Sequence, residues 1–367
     1  MISSLQRGGA EAVLYELVKK LDGHQFEQSV IYFHQGLYTK KIKDLGIKVY
    51  SVKGFFCLYD PIFFYRLILL LKKLKPSCLH TVLWSAGFVG RMVGSLLSIK
   101  TVHALHNTVD HNGLIKNILD RLSSKLMGDT IAVSETVAHS VVQRAPWIKG
   151  HSVHVIKNGI NQEQITQWSK QEKRTRKELG LDDSHFIVGA VGRFEHVKNY
   201  GLLLTSFALL YDDHPQARLV LIGSGKLEYL LRKRAFDLGI DDRVLFVVGQ
   251  SAYGYYPLFD CYVSTSFYEG LSIALLEAMS FGLPCVITHS EQSHEVIKHE
   301  KNGLLVSSEN VYQLALALGR YITDRNLSNK LGKAAKKLVE KDFKAESMIE
   351  NYTNFYTKFS SRKRAQS

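Results

Sequence analysis

Short β-branched runs alternate with helix-like segments along the chain, in two successive sets. This predicts an α/β protein of two Rossmann-like domains, each a doubly wound parallel sheet. Two further observations support that class. A polar stretch interrupts the alternation after residue 161, and 367 residues are too many for one ordinary core.

In the first set, strands are expected at Ser29–Phe33, Cys78–Val82, Thr101–Leu105, Thr130–Val133 and Ser152–Ile156. Helices are expected between them at Ala10–Leu21, Ile62–Leu74, Phe88–Leu97, Leu114–Met127 and Glu135–Arg144. The stretch Gln162–Asp183, dense in Lys, Glu and Gln, reads as a linker with an exposed helix. Strands then resume at Phe186–Val191, Arg218–Ile222, Val244–Val247, Cys261–Ser264, Cys285–Thr288 and Gly303–Val306. Helices are expected at Tyr200–Tyr211, Leu227–Leu238 and Ser272–Ser280, and three more from Val311 to about Phe359. The expected domains are 1–157 and 158–343, followed by a terminal helix and basic tail, 344–367. Ligands of such sheets bind at the carboxyl ends of the strands, where the strand order reverses. Two sheets facing each other would make a cleft.

The charge is +13 and uneven. Residues 1–150 hold 19 Lys/Arg against 10 Asp/Glu, and the remainder 28 against 24. A basic excess attracts nucleic acid, anionic lipid and phosphorylated substrates alike. The four cysteines, Cys57, Cys78, Cys261 and Cys285, have neither C-x-x-C spacing nor a His cluster, which predicts a reduced, cytosolic protein without structural zinc. The N-terminus lacks a basic patch followed by an apolar stretch, so a signal peptide is not expected. The most apolar stretch, Phe55 to Leu71, is interrupted by Asp60 and Arg66 and is too short and charged to span a bilayer.

Five motifs carry chemistry. The first is Phe267-Tyr268-Glu269-Gly270-Leu271-Ser272, running on to Glu277. Gly270 permits a sharp turn, and the free N–H groups at the helix start can receive a pyrophosphate. Glu269 sits in the loop, and Glu277 lies inside an otherwise apolar helix, where a carboxylate must be paired or hydrogen-bonded. The bland alternative is a helix-start carboxylate plus a satisfied buried one. The second is Gly192-Arg193-Phe194-Glu195-His196-Val197-Lys198-Asn199. Arg193 and Lys198 would neutralise a departing diphosphate, or else are solvated loop cations. The third is Arg7-Gly8-Gly9-Ala10-Glu11, whose glycines let backbone N–H groups approach a phosphate or sugar, or simply make a turn. The fourth is His106-Asn107, a strand-end His that would bond a sugar hydroxyl or else be structural. The fifth is Gly223-Ser224-Gly225-Lys226. It fails as a nicotinamide fingerprint because Glu228 stands where the last glycine belongs, and no P-loop or H-E-x-x-H motif exists.

In their order, these pieces resemble the retaining glycosyltransferases of family 4, which have the GT-B fold. Ala132-Val133-Ser134, Lys157-Asn158-Gly159-Ile160 and the spacing Glu269-x7-Glu277 belong to the same pattern, which covers nearly the whole chain. The resemblance implies that Arg193 and Lys198 hold the donor diphosphate, with Gly8, Gly9, Gly223, Gly270, Leu271 and Ser272 also at the donor. It implies further that Glu277 binds the nucleotide ribose, Glu269 the donor sugar, and the backbone near Val248 and Gly249 the base. His106 would sit near the sugar and acceptor, with Glu11 and Asn107 toward the acceptor. Glu269, His106, Arg193 and Lys198 would form the catalytic set. The last helix, roughly Lys344–Phe359, would cross back to the first domain. No D-x-D motif occurs, so neither metal nor cofactor is expected beyond the sugar nucleotide, with UDP as the expected carrier.

Two departures stand out. Met1-Ile2-Ser3-Ser4-Leu5 begins inside the expected first strand, which predicts a truncation or a start assigned too late. The loop Ser290-Glu291-Gln292-Ser293-His294-Glu295 lacks the glycines its relatives often carry. The acceptor is expected on the first domain, as a glycan or lipid-linked glycan of a bacterial envelope. Within Phe55–Lys75, residues Phe55, Phe56, Phe63, Phe64 and Leu67 beside Arg66, Lys72, Lys73 and Lys75 suit a membrane surface, or an ordinary buried helix with a basic end. The protein would then be cytoplasmic and peripheral on the inner membrane. The rival enzyme is a sugar-nucleotide epimerase of the same layout. A nucleic-acid partner has only the charge in its favour.

Overall fold

The structure is a computed structural model describing residues 1–54, 60–106, 114–144, 153–290 and 293–361. The chain divides into two compact units. The first comprises Met1–Gly159 with Ala345–Ser367, and the second Ile160–Lys344.

The first unit is built on strands β1 (Ile2–Ser4), β2 (Ser29–His34), β3 (Lys48–Ser51), β4 (Cys78–Val82), β5 (Lys100–Leu105), β6 (Asp129–Ala132) and β7 (Val153–Val155). All pair in parallel, in the order β3-β2-β1-β4-β5-β6-β7. The helices are α1 (Gly9–Lys20), α2 (Leu37–Asp44), α3 (Pro61–Leu74), α4 (Trp84–Leu96), α5 (Leu114–Leu122) and α6 (Glu135–Arg144). Steps from β1 to β3 run one way along the sheet, and steps from β4 to β7 run the other. The step from β3 to β4 runs that second way too, so right-handed crossovers put α1 and α2 on one face and α3, α4, α5 and α6 on the opposite face.

Local chemistry sets the helix limits. Asp60 caps α3, its Oδ1 accepting from the Ile62 and Phe63 amides at 2.9 and 3.2 Å, and Pro61 opens the first turn. Helix α4 starts at Trp84, earlier than the expected Phe88, despite Gly87, Gly90 and Gly94. Glycine weakens a helix, but here it permits contact with the sheet. A Cβ at Gly87 would stand 2.3 Å from the His103 ring, and one at Gly94 would stand 2.3 Å from Thr101 Cγ2. Helix α5 ends at Leu122 instead of Met127, and a 3-10 turn at Ser124–Leu126 finishes the segment. β3 and α2 were not expected from the sequence. β3 is a half-exposed edge strand, and α2 buries only Tyr38, Thr39 and Ile42, so neither shows a strong apolar period.

The second unit carries β8 (Phe186–Val191), β9 (Ala217–Gly223), β10 (Val244–Val248), β11 (Cys261–Ser264), β12 (Cys285–Thr288) and β13 (Leu304–Val306). They are parallel in the order β10-β9-β8-β11-β12-β13, so the order reverses between β8 and β11. Its helices are α7 (Gln162–Gln171), α8 (Tyr200–Tyr211), α9 (Glu228–Asp237), α10 (Ile273–Ser280), α11 (Ser293–Val296), α12 (Val311–Thr323) and α13 (Arg325–Asp342). Strand β8 reads as a continuous apolar run because helices cover both faces of the sheet. Its side chains join Leu203, Phe207, Leu219, Val263 and Leu318 in one core.

The last helix, α14 (Ala345–Ser361), groups with the first unit. Glu346 pairs with Lys20 of α1, and the Tyr356 hydroxyl bonds His80 Nδ1 on β4.

Candidate active site

The second unit collects charge where its strand order reverses. After β8, Gly192 (φ +159°) turns the chain and Gly223 lets the next loop pack on it. A Cβ at Gly223 would stand 1.9 Å from the Gly192 carbonyl oxygen, and one at Gly225 would stand 2.4 Å from that of Phe194. Backbone bonds Gly192 N–Ile222 O at 2.9 Å and Phe194 N–Ser224 O at 2.9 Å close the contact. The Gly223-Ser224-Gly225 motif thus has a structural reason of its own: two backbones meet there.

The loop after β8 is tied to the loop after β11. Phe267 N donates to Val197 O at 2.9 Å, and Thr265 Oγ1 donates to the Lys198 and Asn199 carbonyls at 2.9 and 3.1 Å. His196 stacks on Phe267 with ring centroids 5.2 Å apart. Asn199 adopts the left-handed region (φ +47°) that short polar side chains tolerate, which starts α8. These ties bring Lys198 Nζ onto Glu269 Oε1 as an ion pair, both side chains largely buried. Glu269 Oε1 also accepts from Ser266 Oγ at 2.6 Å. Burial pushes the Glu269 carboxyl up, but the Lys198 charge and hydrogen bonds from Lys198, Ser266 and Ser272 outweigh it and hold the group below its ordinary value.

Glu269, Gly270, Leu271 and Ser272 line one pocket with Ser264, Ser266 and the end of β12. Ser272 is the N-cap residue of α10, so this pocket receives the start of that helix. Arg193 stands exposed and makes no ion pair with a described residue. Glu277 turns elsewhere. It is buried and accepts from Tyr253 Oη at 3.1 Å and Tyr256 Oη at 2.8 Å. Burial raises its carboxyl to about 7, against the opposing pull of those two hydroxyls. Tyr253 lies in the loop that follows β10 and contains Gly249 (φ +72°), so Glu277, Val248 and Gly249 belong to one neighbourhood through that tyrosine.

Sequence reasoning missed Thr265, Ser266, Tyr253 and Tyr256. The hydroxyl pair just ahead of Glu269 was a readable signal, whereas the two tyrosines gave none. It also missed Tyr200, whose buried hydroxyl has no hydrogen-bond partner among the described residues. That hydroxyl points at Gly192, where a Cβ would stand 3.0 Å from it.

In the first unit, Gly8 is the N-cap residue of α1 and Gly9 its first residue. Glu11 is buried and folds back, so a Cβ on Gly8 would stand 2.4 Å from Glu11 Oε2. A carboxylate there complements the helix dipole. His106 follows β5, and burial, then the neighbouring His103, lower its pKa to about 4, keeping it a neutral hydrogen-bonding group. Asn107 lies outside the described residues, as do Glu291 and Gln292. Phe63 and Leu67 of the expected membrane segment are fully buried in the first unit's core, so they are packing residues and not a surface; Phe55 and Phe56 lie outside the described residues. Among the described residues no cluster of three metal-ligating side chains occurs, and no helix is long and apolar enough to cross a membrane.

Two family models match in tandem: "Glycosyltransferase Family 4" over residues 7–164 and "Glycosyl transferases group 1" over residues 171–338. This chain is a glycosyltransferase of the family 4 type. Its relatives include an uncharacterized glycosyltransferase of Methanocaldococcus jannaschii, 27% identical over 77% of this chain and 75% of that protein. Another is the Escherichia coli UDP-Gal:alpha-D-GlcNAc-diphosphoundecaprenol alpha-1,3-galactosyltransferase, 23% identical over 95% of this chain and 93% of that one. Among solved structures, Anabaena Alr3699/HepE in complex with UDP and glucose superposes with a TM-score of 0.81 at 19% identity, covering 97% of this chain and 99% of that one. Sucrose-phosphate synthase from Thermosynechococcus elongatus also gives 0.81, at 20% identity, covering 98% and 96%. With the two parallel sheets, these likenesses establish the GT-B fold of this glycosyltransferase.

Proposed function

We propose that this glycosyltransferase moves a sugar from a UDP-linked donor to a glycan or lipid-linked acceptor, retaining the anomeric configuration and needing no metal. The observation that carries the reading is the Lys198–Glu269 pair beside the α10 start, where the second sheet reverses its strand order. The scissile bond joins the anomeric carbon to a phosphate oxygen. As it breaks, negative charge gathers on the diphosphate and positive charge on the sugar. Lys198, Arg193 and the amides at Leu271–Ile273 stabilise the former. Glu269, held ionised, accepts from donor sugar hydroxyls, and Glu277 accepts from the ribose. The acceptor attacks from the face the diphosphate leaves, and its proton passes to the leaving phosphate oxygen. Gly8 and Gly9 contact donor phosphate, neutral His106 bonds the sugar, and Glu11 and Asn107 serve the acceptor.

UDP as the carrier is supported by the nucleotide bound in the Anabaena structure and by the UDP-Gal donor in the Escherichia coli relative's name. That relative's diphosphoundecaprenol-linked acceptor supports a lipid-linked substrate, bacterial envelope or exopolysaccharide synthesis, and work at the cytoplasmic face of a membrane.

The test is a panel of sugar nucleotides. UDP-sugars are expected to raise the melting temperature and to be hydrolysed slowly, with the first-formed sugar in the donor's anomeric configuration by proton NMR and the rate unchanged in EDTA. Stabilisation by no sugar nucleotide would sink the reading. Inverted product or loss of activity in EDTA would remove the retaining or metal-free part alone.

A further inference from the structure

Nine of the eighteen large apolar side chains exposed among the described residues sit on α3, α4 and α5, three helices of one layer of the first unit. Helix α5 carries the densest set. Leu114 and Leu122 are 77% exposed, Ile115 is 72% exposed, and Ile118 continues the stripe. The inner side of α5 is anchored: Asp120 is buried and takes Arg91 and the Trp84 Nε1–H, the latter at 2.9 Å. Tyr65 and Leu69 of α3 and Leu96 of α4 extend the exposed set. The inward sides of all three helices share one core, so their outward sides belong to one face.

The exposed charge on these three helices has one sign, while α6, in the same layer, exposes Glu135. Asp120 is the only acidic residue within α3, α4 and α5, and it is buried and paired, so these helices expose no carboxylate. They and the following turn expose Arg66, Lys72, Lys73, Lys116, Arg121 and Lys125. The opposite face, by contrast, exposes Asp44 on α2, and Glu346 and Glu350 on α14, which packs on α1. Exposed apolar helices also occur in the second unit, such as α9 with Tyr229 and Phe236, but α9 carries Glu228 and Asp237 as well.

We infer that the α3-α4-α5 face is a docking surface for an anionic lipid bilayer, with α5 lying in the interface and the lysines of α3 and the α5 turn meeting lipid phosphates. The inference locates the membrane contact that the proposed function implies. It moves that contact from Phe63 and Leu67, which are core, to the outward side of three helices.

Co-sedimentation of the full chain with phosphatidylcholine vesicles, with and without phosphatidylglycerol, tests it. Binding is expected only with the anionic lipid and is expected to weaken as salt rises. Ile115→Ser/Ile118→Ser should abolish it, and Lys72→Glu/Lys73→Glu should weaken it more than about tenfold. Tyr229→Ser/Phe236→Ser should leave it unchanged. All these side chains are exposed, so melting temperatures and stabilisation by UDP should match the parent. The inference falls if the parent does not bind, if the α5 variant binds as well as the parent, or if the α9 variant loses binding equally. It falls too if the face instead drives self-association that the α5 variant abolishes in vesicle-free size-exclusion runs. Vesicle binding without UDP stabilisation would overturn the proposed function and leave this surface standing; the converse would overturn the surface alone.

Discussion

Each unit holds an ion pair with little access to water, Arg91–Asp120 in the first and Lys198–Glu269 in the second, and these two pairs sit in different surroundings. Arg91–Asp120 lies inside the helical layer of the first unit, 6% and 8% exposed, with Trp84 donating to the same carboxylate. It ties α4 to α5. Lys198–Glu269 lies at the carboxyl ends of β8 and β11, beside a helix start and a lined pocket. The same chemistry is structural where it sits between helices and available to a ligand where it sits at strand ends. A salt bridge in a sequence or a contact map therefore says little about role until its place relative to the sheet is known.

The largest effect expected is on stability, from the structural pair. Asp120→Ala strands a buried guanidinium and the Trp84 N–H, and should cost about 3–5 kcal/mol in denaturant unfolding. UDP-induced stabilisation of the protein that remains folded should persist. Lys198→Ala should cost less stability, about 1–3 kcal/mol, because Glu269 keeps its Ser266 and Ser272 partners, but should cut turnover about 100- to 1000-fold. If the two variants lose turnover equally at matched folded fraction, the contrast between the pairs is broken.

Glu277 sharpens the comparison through pH. Its native carboxyl titrates near 7 against an ordinary 4.5, so between those values the folded state holds a proton that the unfolded chain has released. Stability from this group therefore falls as pH rises through that window. Glu277→Gln removes the slope, and the variant should gain on the parent by up to about 3 kcal/mol between pH 4.5 and 7. Parallel stability curves would show that the Tyr253 and Tyr256 hydroxyls already offset the burial. The smallest effect is expected at Tyr200. Removing a buried hydroxyl that has no partner should leave the melting temperature unchanged or slightly higher in Tyr200→Phe. A clear loss of UDP stabilisation in that variant would instead assign the hydroxyl to the donor site.

Most strands were legible because a parallel sheet covered on both faces needs an unbroken apolar run, and Phe186–Val191 or Cys285–Thr288 can scarcely be read otherwise. β3 and α2 escaped because edge elements bury only one side. Helix α4 was read short because its glycines argue against a helix, until Thr101 and the His103 ring are seen against them. Of the site, the residue types and their order were legible: Lys198, Glu269 and the helix start after Gly270. Their contacts were not. Lys198 and Glu269 are 71 positions apart, and the pairing of β8 with β11, together with the bonds from Thr265 and Phe267 to the loop after β8, brings them together. Glu277 could be read only as a carboxylate in an apolar helix that needs partners; two tyrosines, Tyr253 and Tyr256, supply them.

The amino-acid order by itself determined the alternation of strands and helices, the glycine turns at their ends and the inventory of charged side chains, since these follow from local periodicity and backbone freedom. The tertiary structure alone decided which carboxylate is paired, which is pushed up by burial, and which apolar residues of α3 face solvent. Those outcomes depend on desolvation and on partners supplied by distant segments, and no local pattern encodes either.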